Sequence, residues 1–165
     1  MRAWVVAAGL IEGPEGYVLV QNRRRDGSLD WSPPGGVIEV HEGESVTDGL
    51  TREVAEETGL MVSSWEGPVY DVEVVARELG WTLRAETFLA AAWTGKLEAA
   101  DPDGIVVDVR WIDVADWSQH LAGTHRWVRE PIEAWIGGPS ATSYRYRVDG
   151  PSGSTVVVRT FPAEP

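Results

Sequence analysis

Between Ser45 and Gly59 the chain carries one helical pattern whose acids lie on the wrong side for a surface helix. Val46, Leu50 and Val54 recur at i, i+4 and i+8 and define an apolar stripe. At ~100° per residue, Glu53, Glu56 and Glu57 fall within one arc of about 100°. On that wheel Glu57 lies between Val46 and Leu50, and Glu53 lies beside Val46, so two carboxylates turn toward the buried face. Burying an unpaired carboxylate costs several kcal/mol, and three clustered acids raise one another's pKa. A hard divalent cation relieves both penalties, and Mg²⁺ prefers oxygen ligands. The pattern therefore predicts a helix that docks on a core and offers carboxylate oxygens to a metal. Ser45 is the expected N-cap with Asp48 as its capping-box partner, and Gly59 suits the C′ position. Gly49 predicts a local weakness of roughly 1 kcal/mol against Ala. Arg52 is placed to pair with Glu56 or Asp48 along the helix, or to reach back to an acid of the preceding loop.

Around this helix the chain reads as strands and turns. Trp4–Ile11 and Tyr17–Gln21, joined by Gly13-Pro14-Glu15-Gly16, predict a hairpin. Arg23-Arg24-Arg25-Asp26-Gly27-Ser28 is a polar loop, and Trp31-Ser32-Pro33-Pro34 is a stiff, extended approach to Gly35-Gly36. Further strands are expected at Pro68–Arg77, Thr82–Trp93 and Ile105–Ile112, with helices at Asp113–Leu121 and Arg126–Ile136. A terminal hairpin, Tyr144–Val148 with Thr155–Phe161, follows the break at Gly137-Gly138-Pro139. The mixture predicts an α+β chain, or a mixed sheet with helices on its faces. At 165 residues it fits one domain. We divide it into a body over residues 1–137 and a C-terminal hairpin extension over 138–165 packed on the same domain. That extension is expected to cap the sheet, shape a pocket or pair across a homodimer.

Charge narrows the partners. The net charge of −12 repels nucleic-acid polymers and anionic membranes, which excludes both as expected partners. It repels a phosphate-bearing small molecule as well, unless a bound cation reverses the local field. The absence of cysteine removes disulfides and thiolate metal sites and is compatible with a reducing, cytoplasmic setting. No apolar run approaches the ~20 residues of a membrane span. The short apolar run after a single Arg near the N-terminus reads as a strand in preference to a signal peptide.

Gly35-Gly36, Glu44 and Arg52-Glu53-Val54-Ala55-Glu56-Glu57-Thr58-Gly59-Leu60 together resemble the Nudix box of the Nudix (MutT-like) hydrolases. The stretch from the seven residues before Arg52 through Leu60 fits that pattern throughout. Gly36 to Glu44 departs, with seven intervening residues where the pattern has five, consistent with two extra residues around Val40-His41-Glu42. Trp31 to Gly36 and Val109-Arg110-Trp111-Ile112 resemble flanking strands of the family. The resemblance implies an α/β/α sandwich and attack of water on a nucleoside diphosphate linked to another moiety. It implies that Glu53, Glu56, Glu57 and the Gly36 carbonyl ligate Mg²⁺ or Mn²⁺, and that Arg52 orients Glu53 with Glu44 taking part. The general base is then Glu53 or a late-loop acid, Glu98, Asp101 or Asp103. Arg23 and Arg25, with Arg24 between them, are candidates to grip phosphates. Trp31 either stacks on a base or packs in the core. A catalytically silent nucleotide-binding or sensor module is the alternative, though such modules lose box acids that this chain retains. The three His show no ligand spacing.

Overall fold

A computed structural model describes residues 1–138 and 140–150, and the backbone of Val157–Phe161. Pro151-Ser152-Gly153 of the expected turn, and Thr155 and Val156 of the last expected strand, lie outside the described residues. The strands are β1 (Arg2–Leu10), β2 (Glu12–Gly13), β3 (Gly16–Arg23), β4 (Leu29–Ser32), β5 (Gly35–Val37), β6 (Leu60–Ala76), β7 (Trp81–Gly95), β8 (Val106–Ile112), β9 (Ser143–Asp149) and β10 (Val157–Phe161). The helices are α1 (Val46–Thr58), α2 (Trp117–His120) and α3 (Arg126–Ile136). Among the described residues one sheet runs β10-β9-β6-β7-β1-β5, and a smaller one joins β2, β3, β4 and β8. β1 runs parallel to β7 and β9 parallel to β6, and the other pairs are antiparallel, so the large sheet is mixed. No helix among the described residues is long and apolar enough to cross a membrane.

The first expected hairpin is largely replaced by a change of sheet. β1 joins the large sheet, the chain turns at Ile11, and only Glu12–Gly13 pairs back on β3. The second crossing falls at Pro33-Pro34, between β4 in the small sheet and β5 in the large one. Proline has no N–H for a ladder and fixes its own φ, so a proline pair suits a crossing between sheets.

Two apolar clusters fill the faces. Leu50 and Val54 of α1 pack with Ala7, Val18, Leu60 and Phe88. Ile132 of α3 and Trp117 of α2 pack with Leu19, Val72, Val74 and Ile112. Val46, expected in the stripe of α1, is only partly buried. β6 serves both clusters. Leu60 and Val62 face α1, whereas Tyr70, Val72, Val74 and Ala76 belong to the opposite cluster. Register shifts between Val62 and Tyr70 accomplish the exchange, because one residue of slip moves every following side chain to the other face.

The C-terminal strand contributes to the second cluster. Tyr146 of β9 is 2% exposed, and its hydroxyl donates to Glu130 Oε2 of α3 at 2.9 Å. Ser143 Oγ donates to Asp71 Oδ1 of β6 at 2.6 Å. Tyr146→Ala is expected to cost about 3–5 kcal/mol, read as a lower urea midpoint. A loss under about 1 kcal/mol would show that β9 adds little to the core.

Candidate active site

The site is built on α1. Ser45 Oγ accepts the Asp48 amide at 3.2 Å, and Gly59 ends the helix at φ 78° with its N–H on Ala55 O. Thr58 reinforces that end, donating to Val54 O at 2.7 Å and accepting from Leu60 N at 3.1 Å. The anchored helix presents two of its acids to a cleft of about 890 Å³. Glu53 and Glu57 line it, with Gly35, Gly36, Glu44, Arg52, Asp101 and Asp103.

Glu57 is 9% exposed, and its Oε2 accepts the Gly35 N–H at 3.0 Å. Burial is the main cause that pushes its carboxyl up to about 8. The Gly35 N–H opposes the shift, and the charges of Glu53, Asp101 and Glu56 add to it. Glu53, with a side chain 18% exposed, is also raised, first by burial, against the pull of Arg52. Arg52 reaches back as well as along the helix. Nε meets Glu44 Oε1 at 2.8 Å and Nη2 meets Glu44 Oε2 at 3.2 Å. Nη1 meets Glu53 Oε1 at 2.8 Å and Glu56 Oε2 at 3.6 Å. Glu44 Oε2 also accepts the Glu39 amide at 3.0 Å. The Arg52 pair, then that amide, hold the Glu44 carboxyl below the usual range.

The extra residues of the loop form a 3-10 turn at Val40–Glu42, closed by Gly43 at φ 85°. Glu44, not Glu42, therefore meets Arg52. Close approach of this loop explains Gly49. A Cβ there would stand 2.8 Å from Glu44 Oε2 and 2.8 Å from Ile38 Cδ1. Gly49→Ala is expected to forfeit the helix-propensity gain of about 1 kcal/mol and to loosen the Glu44–Arg52 pair. A thermal melt at or below that of the parent checks this, and a clear rise would overturn it.

The glycine pair completes the site. A Cβ on Gly36 would lie 2.7 Å from Glu53 Oε2, so the turn is a cradle cut to that carboxylate. Among the described residues, no three Asp, Glu or His side chains converge into a ready-made metal cage. Like charges separate while Arg52 draws Glu53 and the Gly35 amide holds Glu57. The carboxylate oxygens themselves are the hard type that Mg²⁺ takes.

Five candidate residues fall outside the cleft lining. Glu56 is one of them: its side chain is 34% exposed, and its Oε2 lies 3.6 Å from Arg52 Nη1. Trp31 lies on β4 between Asp30 and Ser32 and packs on the second core cluster, with the His120 ring 5.4 Å away. Alternation along the strand separates it from Ser32, which lines the cleft. Arg23 and Arg25 flank the residue that does line it, Arg24. Arg23 ends β3, where alternation along the strand separates it from its neighbour, and Arg25 stands in the turn that the Gly27 amide closes on Arg24 O at 2.9 Å. Glu98 sits beyond the C-terminal end of α1, its amide donating to Thr58 O at 2.8 Å. Asp101 and Asp103 both line the cleft. Asp101 is engaged in its own turn, accepting the amides of Asp103, Ile105 and Val106. Asn22 is a lining residue that the sequence reading missed. It donates to Asp30 Oδ1 at 3.1 Å and Ser32 Oγ at 2.9 Å, and its place in an apolar strand was the available signal.

Comparison with known proteins accords with this geometry. A family model described as the NUDIX domain matches residues 1–136. Among solved structures, the chain is similar to a MutT NUDIX hydrolase from Burkholderia pseudomallei, with 23% identity and TM-score 0.65, over 79% of this chain and 98% of that one. A mMutator MutT protein from Bacillus halodurans aligns at 20% identity and TM-score 0.67, over 98% of this chain and 99% of that one. A NUDIX hydrolase from Nitrosomonas europaea aligns at 26% identity and TM-score 0.61, over 83% and 90%. No curated protein matches the chain. A domain match over most of the sequence, on an α/β/α sandwich of the same kind, makes this chain an enzyme of the Nudix hydrolase family.

Proposed function

We propose that the protein is a metal-dependent pyrophosphohydrolase. Its substrate is a small nucleoside diphosphate linked to another moiety, such as a nucleoside triphosphate or a nucleotide sugar. The observation that carries the reading is the buried Glu57 beside Glu53 at the cradle of Gly36. A carboxyl group is kept out of water there, and among the described residues no ion pair reaches it, since Arg52 engages Glu44, Glu53 and Glu56.

In this reading Glu53, Glu56, Glu57 and the Gly36 carbonyl hold Mg²⁺ or Mn²⁺. Such an ion would supply a water of lowered pKa and positive charge against pyrophosphate oxygens, which would offset the repulsion of a chain of charge −12. Arg52 keeps Glu53 turned to the site, and Glu44 keeps Arg52. Asp103 is the leading general base from the late loop, because it lines the cleft while Asp101 is engaged in its own turn. Glu53 is the other candidate for that role. The reading extends to a cytoplasmic enzyme, in line with a cysteine-free chain.

The test is release of phosphate or nucleotide from a panel of nucleoside triphosphates and nucleotide sugars with Mg²⁺ or Mn²⁺. Turnover is expected for the parent and its loss for Glu56→Gln. An inactive parent across the panel, or an unimpaired variant, sinks the proposal.

A further inference from the structure

One buried amide in the wall of the acidic cleft has only half of its hydrogen-bonding capacity engaged. Asn22 of β3 is 7% exposed and lines the cleft. Its amide nitrogen donates twice, to Asp30 Oδ1 at 3.1 Å and to Ser32 Oγ at 2.9 Å, which uses both N–H groups. Asp30 also decides which way round the amide lies. It stands opposite Asn22 in the β3–β4 ladder, and its side chain is 10% exposed. Arg24 holds it, Nε donating to Oδ2 at 2.6 Å and Nη2 to Oδ1 at 2.8 Å. A reversed amide would set its oxygen against that carboxylate, acceptor facing acceptor.

The Asn22 oxygen is what remains. No donor among the described residues meets it, and none of their fully buried side-chain oxygens lacks a partner. Oδ1 therefore reaches open space, and the space that Asn22 lines is the cleft. Ser32 lines the same cleft. Its Oγ accepts from Asn22, while no acceptor among the described residues takes its own hydrogen. An acceptor and a hydroxyl donor thus stand side by side with nothing to pair with. An exocyclic amine only donates and a carbonyl only accepts, whereas a hydroxyl does both. A ligand hydroxyl is the group that matches the pair.

We propose that Asn22 is a specificity-determining residue whose Oδ1 accepts a hydrogen bond from a ribose hydroxyl of the substrate, with Ser32 completing the contact as donor. Asp30 is the residue that positions Asn22. The proposal deepens the hydrolase reading and rests on it, because ribose is the part that all nucleotide substrates of that class share. A site built to pair a hydroxyl rejects an analogue that lacks it, since the site's own polar groups are then left unpaired. The enzyme therefore prefers nucleotides with an intact ribose over those stripped of its hydroxyls, whatever the base.

Binding tests this without turnover. Titration calorimetry with Mg²⁺ compares a hydrolysis-resistant α,β-methylene ribonucleoside diphosphate with its 2′,3′-dideoxy counterpart, which has the same base and the same charge. The ribonucleoside analogue is expected to bind the parent about tenfold more tightly. Asn22→Leu, close to it in size, is expected to cut that margin to under about twofold, and Ser32→Ala to about threefold. Asp30→Asn, which lets the Asn22 amide lie either way round, narrows it too. The margin is a ratio, so a uniform loss of affinity cancels from it. Equal binding of the two analogues by the parent overturns the proposal. So does an intact margin in Asn22→Leu or, should that variant not fold, in both Ser32→Ala and Asp30→Asn. A margin that depends on Asn22 in a protein that hydrolyses nothing leaves the hydroxyl contact standing and removes the hydrolase reading instead.

Discussion

Glu57→Gln is expected to lower kcat roughly a thousandfold, the several kcal/mol that a lost metal contact withdraws, while making the metal-free protein more stable at pH 8. The second half follows from burial. In the unfolded chain this carboxyl ionises near its ordinary value of 4.5, whereas in the folded protein it holds its proton up to about 8. The folded pKa is raised, so the stabilising contribution is present below pH 4.5 and lost as pH rises through 8. At about 1.4 kcal/mol per unit, the handicap at the upper end reaches several kcal/mol. Glutamine has the same size, carries no charge and still accepts the Gly35 N–H. Melting curves at pH 5 and pH 8 should therefore coincide for parent and variant at the lower pH and diverge at the higher one. Adding Mg²⁺ should raise the melting temperature of the parent at pH 8 and leave that of the variant nearly unchanged. A variant that keeps its activity, or melts with the parent at both pH values, would contradict the role given to Glu57.

The glycine pair yields the second large effect, and the two residues should fail differently. A Cβ on Gly35 would stand 2.0 Å from the Ala7 carbonyl oxygen, at φ 154°. That oxygen belongs to β1, held between β7 and β5, and cannot retreat. Gly35→Ala is expected to cost about 3–5 kcal/mol and to give little folded protein at 37 °C. The three atoms nearest a Cβ on Gly36 all belong to the Glu53 side chain, its carboxylate at 2.7 Å, and a side chain can swing away. Gly36→Ala should stay folded, within about 1 kcal/mol of the parent, yet lose roughly a hundredfold in kcat because the carboxylate is displaced by about an ångström. Urea denaturation with steady-state kinetics separates the cases. If both variants lose stability equally, or Gly36→Ala keeps full activity, the cradle has no catalytic consequence.

The sequence made the acids of α1 legible because helical periodicity fixes which residues share a face, whatever the helix packs against. Ser45 and Gly59 marked its ends for the same local reason. The start of β6 was hidden. The expected strand began only at Pro68, because the register shifts that carry β6 from one face to the other break the alternation that marks a strand. The first hairpin was misread because a tight turn says that the chain reverses, not that both arms stay in one sheet. Arg24 was overshadowed by its neighbours, since three arginines in a row carry no phase until the strand beneath them is known. Gly49 looked like a weak point of the helix and is instead the space into which Glu44 fits.

The turn at Val40–Glu42 has one more consequence. Glu44 is fixed by a guanidinium fork and a backbone amide, not by the number of residues that lead to it. The contour length between Gly36 and the helix is therefore slack, and slack can be taken up in a coil of three residues without moving the acid. In proteins built this way, a linear template that counts positions loses the residue, while a search for the arginine's partner recovers it. The same slack makes this loop the natural place to graft additional residues, a reporter or a recognition segment, at the rim of the cleft without retuning what lies inside.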